Sequence, residues 1–346
     1  MIDPAPLSSE VSRCGKSVAV FLCNRPESLQ SVWGPAQRRR LDELVEIIAS
    51  PTSMESLGEI PRKDEVEVIF STWSMPKIEE DQWALLPNLR AVFYAAGSVK
   101  YFAPPLLDRG VTVVSAWAAN AIPVAEFSLA QILFSLKLGW QHVQQLRAKP
   151  SREGWSRLSV PGAYESTVGI ISLGMIGRKL CELLRPFGLR KLAYDPFVSS
   201  SMFQNYGLTE ASLSEIFAES DVVTLHAPWL RETEGMITGE MIASMKPNAT
   251  FLNTARGALV REAEMISVLQ ARPDITAVLD STYPEPPEAG SPLYTLPNVV
   301  LTPHIAGSSG NEVRRMADFM IEEFQAWRAG RPLRYEVTAE LLAKMA

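Results

Sequence analysis

Residues 167–178 read Thr-Val-Gly-Ile-Ile-Ser-Leu-Gly-Met-Ile-Gly-Arg, and residues 191–196 read Lys-Leu-Ala-Tyr-Asp-Pro. The apolar run 168–171 predicts a buried parallel strand, a glycine-bearing turn follows, and 175–184 show helical spacing. The unit is strand, turn, helix. Gly174 allows the backbone to approach a pyrophosphate, and Gly177 allows the new helix to pack close to the strand. The helix start, at Met175 and Ile176, offers free N–H groups and the positive end of a dipole. Asp195 closes a second strand 21 residues after Gly174, where a carboxylate can hold the hydroxyls of an adenosine ribose.

The pattern G-x-G-x-x-G has Ser172 in place of its first glycine, so a Cβ must be tolerated in a tight turn. No Lys or Arg occurs from 192 to 230 to pair a 2′-phosphate, which favours NAD over NADP; Arg190 and Lys191 lie just upstream.

A chain of 346 residues has room for two domains of ordinary size. Its net charge of −6 argues against a general nucleic-acid binder, and the Arg38-Arg39-Arg40 run reads as a solvated helix face. No membrane segment and no secretory leader are expected, the opening Met-Ile-Asp-Pro-Ala-Pro lacking a basic region before an apolar core. Cys14, Cys23 and Cys181 have neither disulfide-framework nor metal-ligand spacing, so no metal is expected and a reducing cytoplasm fits.

In order, 17–22 predicts a strand, 32–48 an amphipathic helix carrying the arginine run, 66–71, 89–95 and 111–116 further strands, and 101–109 a short helix. That is the alternation of a first parallel sheet. Near Asn120-Ala-Ile-Pro the pattern changes to one long apolar helix over 124–146, followed by a polar segment to 165. After Asp195 come 213–218 (helix), 221–226 (strand), 239–245 (helix), 250–253 (strand), 262–271 (helix), 277–280 and 299–302 (strands), as in a doubly wound sheet. An amphipathic helix over 312–328 and a strand-like tail at 333–337 end the pattern.

Three apolar strands run directly into polar residues: Asn-Thr-Ala-Arg256-Gly, Leu-Asp280 with Pro-Glu285-Pro, and Thr-Pro-His304-Ile-Ala-Gly. Ligands of open α/β sheets bind at the carboxyl ends of strands, so all three can face one crevice. Hydride transfer to a 2-oxo acid needs a cation fork for carboxylate and carbonyl oxygen, which Arg256 can supply. It also needs a proton donor, which His304 can supply with Glu285 tuning it.

These pieces, with Ser-Asp-Val-Val-Thr-Leu-His-Ala-Pro at 220–228, resemble the D-isomer-specific 2-hydroxyacid dehydrogenase family from about residue 90 to residue 328. The resemblance implies an α/β protein in which a Rossmann-type doubly wound parallel sheet (121–308) is inserted into a discontinuous flavodoxin-like α/β substrate domain (1–120 plus 309–346). It implies catalytic Arg256, Glu285 and His304, and cofactor contacts at Gly174, Met175, Ile176, Gly177, Asp195, His226, Pro228, Thr233, Thr254, Asp280 and His304. Asp280 is then the holder of the nicotinamide carboxamide and His226 a structural residue near the cofactor. Gly97-Ser98-Val99 matches the loop whose N–H groups grip the substrate carboxylate, with Lys100 and Arg256 beside it. The implied activity is NAD-dependent interconversion of a small 2-oxo acid and a D-2-hydroxy acid, in a homodimer paired through the region of 124–146, Trp140 and Trp155. The alternative on the same scaffold is an NADH-sensing transcriptional corepressor. Ser172, Lys100, Arg261 and Ser281 depart from the family pattern without touching the three catalytic positions.

Overall fold

A computed structural model describes residues 15–345; Cys14 and the stretch read for a leader lie outside them. The strands are β1 (Ser17–Phe21), β2 (Val45–Ala49), β3 (Val68–Ser71), β4 (Ala91–Tyr94), β5 (Thr112–Ser115), β6 (Thr167–Ile171), β7 (Arg190–Tyr194), β8 (Thr209–Glu210), β9 (Val222–Leu225), β10 (Thr250–Asn253), β11 (Thr276–Leu279) and β12 (Val299–Leu301). The helices are α1 (Pro26–Val32), α2 (Pro35–Leu44), α3 (Met54–Gly58), α4 (Ala103–Asp108), α5 (Trp117–Ser135), α6 (Gly139–Ala148), α7 (Met175–Leu183), α8 (Ser200–Tyr206), α9 (Leu213–Glu219), α10 (Gly239–Ala243), α11 (Glu262–Ala271), α12 (Val313–Arg328) and α13 (Ala339–Lys344). They divide into two compact units, one running through Ala116 and resuming at Val313–Ala339, the other Trp117–Glu312 with the residues from Glu340 on.

The first unit is a parallel sheet ordered β2-β1-β3-β4-β5, the flavodoxin-like order. Its strands β3 and β4 are buried at every position because helices cover both faces of such a sheet. The core is aromatic: Phe70 stacks on Phe93 at 5.5 Å and meets Phe324 of α12 at 5.3 Å, and Trp33 closes on Phe21 and Phe70 at 5.3 Å each. Helix α12 buries Val313, Met316, Ala317, Met320, Ile321 and Phe324, the i, i+3, i+4 stripe expected of its sequence. Buried Glu323 accepts from the Arg334 and Tyr335 N–H groups at 2.9 and 3.2 Å and fastens the chain beyond α12. That tail makes a single antiparallel bridge, Glu336 to Val114, in place of the expected strand.

The expected helix over 32–48 is a correction. The structure ends α1 at Val32, restarts at Pro35, and gives Val45–Ala49 to strand β2 against β1. Val45, Ile47 and Ile48 are β-branched and favour the strand, while Leu41, Leu44, Val45 and Ile48 mimic helical spacing.

In the second unit the order is β12-β11-β10-β9-β6-β7-β8, all parallel, so β6 is an interior strand between β9 and β7, and the strand order reverses direction across the sheet beside it. That reversal is where doubly wound sheets open a crevice. Ser212 caps α9 reciprocally with Glu215, each side chain satisfying a free N–H of the other's end. The expected single helix over 124–146 is two helices. Leu136 and Leu138 are both buried, and residues two apart cannot share a helix face, so the chain passes through left-handed Leu138 (φ 49°) between α5 and α6. Helix α5 also starts earlier than expected, at Trp117, with Pro123 inside it. By length and apolarity α5 matches a membrane span, yet half of that window is buried within the protein, as in a core helix.

Candidate active site

Strand β6 leads into a turn in which Ser172 adopts φ 77°, the left-handed region that glycine takes freely and a Cβ resists. The turn is held from the neighbouring strand end. The Asp195 carboxylate accepts from Leu173 N–H (2.8 Å) and Phe197 N–H (2.9 Å), with the Ser172 hydroxyl at 3.5 Å. A Cβ on Gly177 would lie 2.1 Å from the Ser172 carbonyl oxygen, so only glycine lets α7 start so close to the strand. At Gly174, by contrast, a Cβ would have its nearest neighbour, Ser172 Oγ, at 3.9 Å. Gly174 and Met175 are exposed, so the N-terminus of nine-residue α7 is open to a pyrophosphate-sized anion, and Asp195 remains partly accessible at the far side of the turn. Arg190 begins β7, four residues from Tyr194 at its other end, and pairs with Glu219 at 2.9 Å. It lies roughly 13 Å along the strand from the Asp195 end.

At the end of β9, His226 is buried. Its Nε2 meets Thr224 Oγ1 at 2.9 Å and its Nδ1 has no partner among the described residues. Burial pushes this imidazole down to about 3, so it is neutral at pH 7. Pro228 and Thr233 close the next loop on each other: Thr233 Oγ1 donates to Pro228 O (2.6 Å) and accepts from Leu230 N–H (2.9 Å). Thr254 is buried with its hydroxyl 3.4 Å from Ser128 Oγ.

At the end of β10, Asn253 makes a local turn, accepting from Ala255 N–H and donating to Arg256 O, both at 3.0 Å. This sets Arg256, whose Nη1 donates to Ala255 O at 2.7 Å. Burial pushes the guanidinium down from its ordinary value, with the charge of Glu285 opposing the shift. Gly257 follows because a Cβ there would lie 2.0 Å from the Thr282 carbonyl carbon, so the loops after β10 and β11 touch backbone to backbone.

His304, after β12, also has a left-handed backbone (φ 54°), and its Nδ1 is 2.7 Å from Glu285 Oε1. Asp280 organises this loop. Its Oδ1 accepts from Thr302 Oγ1 (2.5 Å) and Ile305 N–H (2.8 Å), and its Oδ2 from Ala306 N–H (2.8 Å). Oδ1 thus makes two bonds and Oδ2 one. Glu285 and His304 line a cavity of about 390 Å³ with Asp280, Ser281 and Tyr294. Ser281 Oγ is buried there with no partner among the described residues. Asn120 Oδ1 holds the Ser308 N–H at 2.9 Å on the continuation of the same loop.

In the first unit, Gly97, Ser98 and Val99 follow β4. Ser115 Oγ lies 2.9 Å from the Ala96 carbonyl oxygen and 2.5 Å from that of Gly97, its one proton shared between the two, which ties the start of the loop to β5. Lys100 is exposed.

The structure therefore brings Arg256, Asp280, Glu285 and His304 to one edge of one sheet. Asn253, which donates to Arg256 O, Thr302, which donates to Asp280, and Asn120, which holds Ser308 N–H farther along the His304 loop, were not singled out from sequence, although the first two lie inside the quoted motifs. Their signal is the side-chain oxygen beside a turn. His142 bridges Leu138 O (2.8 Å) and Leu158 N–H (3.1 Å).

The family model described as "D-isomer specific 2-hydroxyacid dehydrogenase, NAD binding domain" matches residues 134–306. The chain is 29% identical over 296 residues to a D-3-phosphoglycerate dehydrogenase of Archaeoglobus fulgidus, covering 85% of this chain and 55% of that one. It is 30% identical over 301 residues to that of Mycobacterium bovis, covering 86% and 55%. The chain thus spans about half the length of these curated relatives. The apo structure of Rhodotorula graminis D-mandelate dehydrogenase shares the fold at a TM-score of 0.77 and 20% identity, over 93% of this chain and 98% of that one.

Proposed function

Because the chain belongs to the D-isomer-specific 2-hydroxyacid dehydrogenase family, with its NAD-binding domain, we propose that it interconverts a small 2-oxo acid and the corresponding D-2-hydroxy acid. The observation that carries this reading is the 2.7 Å Glu285–His304 pair on the same strand-end edge as half-buried Arg256. The residues around the crevice suit the cofactor: an open helix N-terminus at Gly174, a partly accessible Asp195, and an orphaned Nδ1 on buried His226. Bound NAD(H) supplies or accepts the hydride.

Glu285 fixes the proton of His304 on Nδ1, which directs Nε2 toward the reacting oxygen. On reduction that nitrogen delivers a proton to the developing alkoxide; on oxidation it removes one. Arg256 forks onto the substrate carboxylate and carbonyl oxygen and stabilises the charge that gathers there. Gly97, Ser98 and Val99, whose backbone N–H groups the family resemblance assigns to the substrate carboxylate, lie in the loop after β4. Asp195 repels a 2′-phosphate, and Arg190 is committed to Glu219 at the opposite end of β7, so NAD is preferred to NADP by at least about tenfold.

The test is NADH oxidation against glyoxylate, pyruvate, hydroxypyruvate and branched or aromatic 2-oxo acids, with D-3-phosphoglycerate in the oxidative direction because the similar proteins carry that name. On the best substrate, His304→Ala loses roughly 10²- to 10⁴-fold in kcat while NADH still binds. Near-full activity of that variant would end the proposal. The assembly we propose is a two-fold homodimer, supported by exposed Phe134, Trp155, Leu158, Val160 and Tyr164 in and just after the α5–α6 region. A monomer mass by light scattering would contradict it.

A further inference from the structure

The Arg38-Arg39-Arg40 run is not one solvated face. Arg40 pairs with Asp318 at 2.5 Å and Arg39 is exposed, but Arg38 turns inward and is half-buried. Its Nε donates to Trp33 O at 3.0 Å, and its Cζ lies 4.5 Å over the ring of buried Phe21. A carbonyl and an aromatic floor thus fix the guanidinium, and neither neutralises it. No carboxylate lies within ion-pair distance among the described residues; Asp42, one turn on, acts only at longer range. The residue also sits near the N-terminal end of α2, where the helix dipole disfavours a cation.

This arginine lines a cavity of about 390 Å³ with Cys23, Leu29, Gln30, Ser50 and Thr52. The loops after β1 (Cys23) and β2 (Ser50 and Thr52), at the carboxyl edge of the sheet where parallel sheets bind ligands, form the wall together with α1 (Leu29 and Gln30) and α2 (Arg38). Gln30, Ser50 and Thr52 add an amide and two hydroxyls as donors, and the Nη1 and Nη2 groups of Arg38 have no acceptor among the described residues. A partly desolvated, unpaired cation among neutral donors matches an oxyanion.

We infer that this cavity is a binding site for a phosphate-sized oxyanion, either free phosphate or the phosphoryl group of a small monoester. It is separate from the loop at Gly97-Ser98-Val99. That loop follows β4, two strands from β1, so the two places are roughly 10–15 Å apart along the edge, beyond the reach of a three-carbon acid. The inference does not depend on the dehydrogenase reading.

The experiment is isothermal titration of inorganic phosphate into the full chain saturated with NAD, at constant ionic strength held with chloride, so that the α7 terminus is filled. One phosphate site per chain is expected. Arg38→Gln weakens it at least tenfold, and Thr52→Val, at an exposed position, weakens it several-fold. Arg38→Lys keeps the charge without the fork and falls between; should Arg38→Gln fail to fold, it and Thr52→Val decide the matter. Glycerol phosphate is titrated in parallel: tighter binding than phosphate identifies a monoester ligand, equal or weaker binding the free ion. No phosphate binding to the NAD-loaded chain, or binding unchanged in the variants that fold, overturns the inference.

Discussion

Two turns at the carboxyl edge of the seven-stranded sheet are built alike and end differently. Each follows a strand, each holds a non-glycine residue in the left-handed region (Ser172 at φ 77°, His304 at φ 54°), and each is clamped by an aspartate from the end of an adjacent strand, through the Leu173 N–H in the first and the Ile305 and Ala306 N–H groups in the second. Asp195 accepts two backbone N–H groups and stays partly accessible. Asp280 accepts two N–H groups and the Thr302 hydroxyl and is only 2% exposed. The first carboxylate retains capacity for a ligand. The second is largely spent on keeping a strained histidine in place, and left-handed backbone of this kind persists only where its surroundings over-determine it.

Breaking the second clamp has the largest expected effect. Asp280→Asn removes charge-assisted bonds inside the protein and costs about 3 kcal/mol of stability by urea unfolding. Displacement of His304 lowers kcat by about 10²-fold, with a smaller change in KM for NADH. If kcat were unchanged, the clamp would have no bearing on His304.

Strand β9, one of three between the two turns, supplies a pH-dependent contrast. His226 is held neutral, at about 3 against an ordinary value near 6.5. Between those values the unfolded chain binds the extra proton and the folded chain does not. Stability is therefore full above pH 6.5 and falls as the pH drops toward 3, by up to about 1.4 kcal/mol per pH unit. Denaturation midpoints at pH 7, 6 and 5 should show this slope reduced in His226→Gln; parallel slopes would remove His226 as its source.

Breaking the first clamp is milder and falls on the cofactor. Asp195→Asn raises KM for NADH roughly tenfold, about 1.4 kcal/mol, narrows the preference over NADPH, and leaves kcat near wild type. A kcat loss as large as that of Asp280→Asn would erase the distinction between the two carboxylates. The smallest effect is Ser172→Gly. Relief of left-handed strain, about 1 kcal/mol, is partly offset by glycine's freedom in the unfolded chain, for a net gain of roughly 0.5 kcal/mol. A loss greater than 1 kcal/mol would show that the Ser172 hydroxyl, 3.5 Å from Asp195, matters more than the strain.

Sequence reading reaches the first turn well because strand, glycines and carboxylate are local and the period changes within thirty residues. It places Arg256, Glu285 and His304 on the right strand ends for the same reason. What it cannot supply is the second clamp: Asp280 and Ile305 are 25 residues apart, and the bond between them exists only once β11 and β12 are paired. Edge strand β2 was missed because the spacing of Leu41, Leu44, Val45 and Ile48 serves a helix and a strand equally, and the choice falls to pairing with β1. The break at Leu138 was missed because burial of both Leu136 and Leu138 is a property of the packed core, not of the local sequence.

Helix α12 sets a different kind of constraint, on the order of events in synthesis. Phe324 packs edge-on to Phe70 and Phe93 at 5.3 and 5.5 Å, so the first sheet lacks part of its apolar cover until residues 313–339 exist. Nearly two hundred residues are made in between, about 10–40 s of translation at 5–20 residues/s. The seven-stranded half is complete on emergence from the ribosome at Glu312, but for its last helical turn, while the half begun first must wait. During that interval the face of Phe70 and Phe93 that α12 covers has no cover from it, so a chain stalled before α12 would present apolar surface that the finished fold hides.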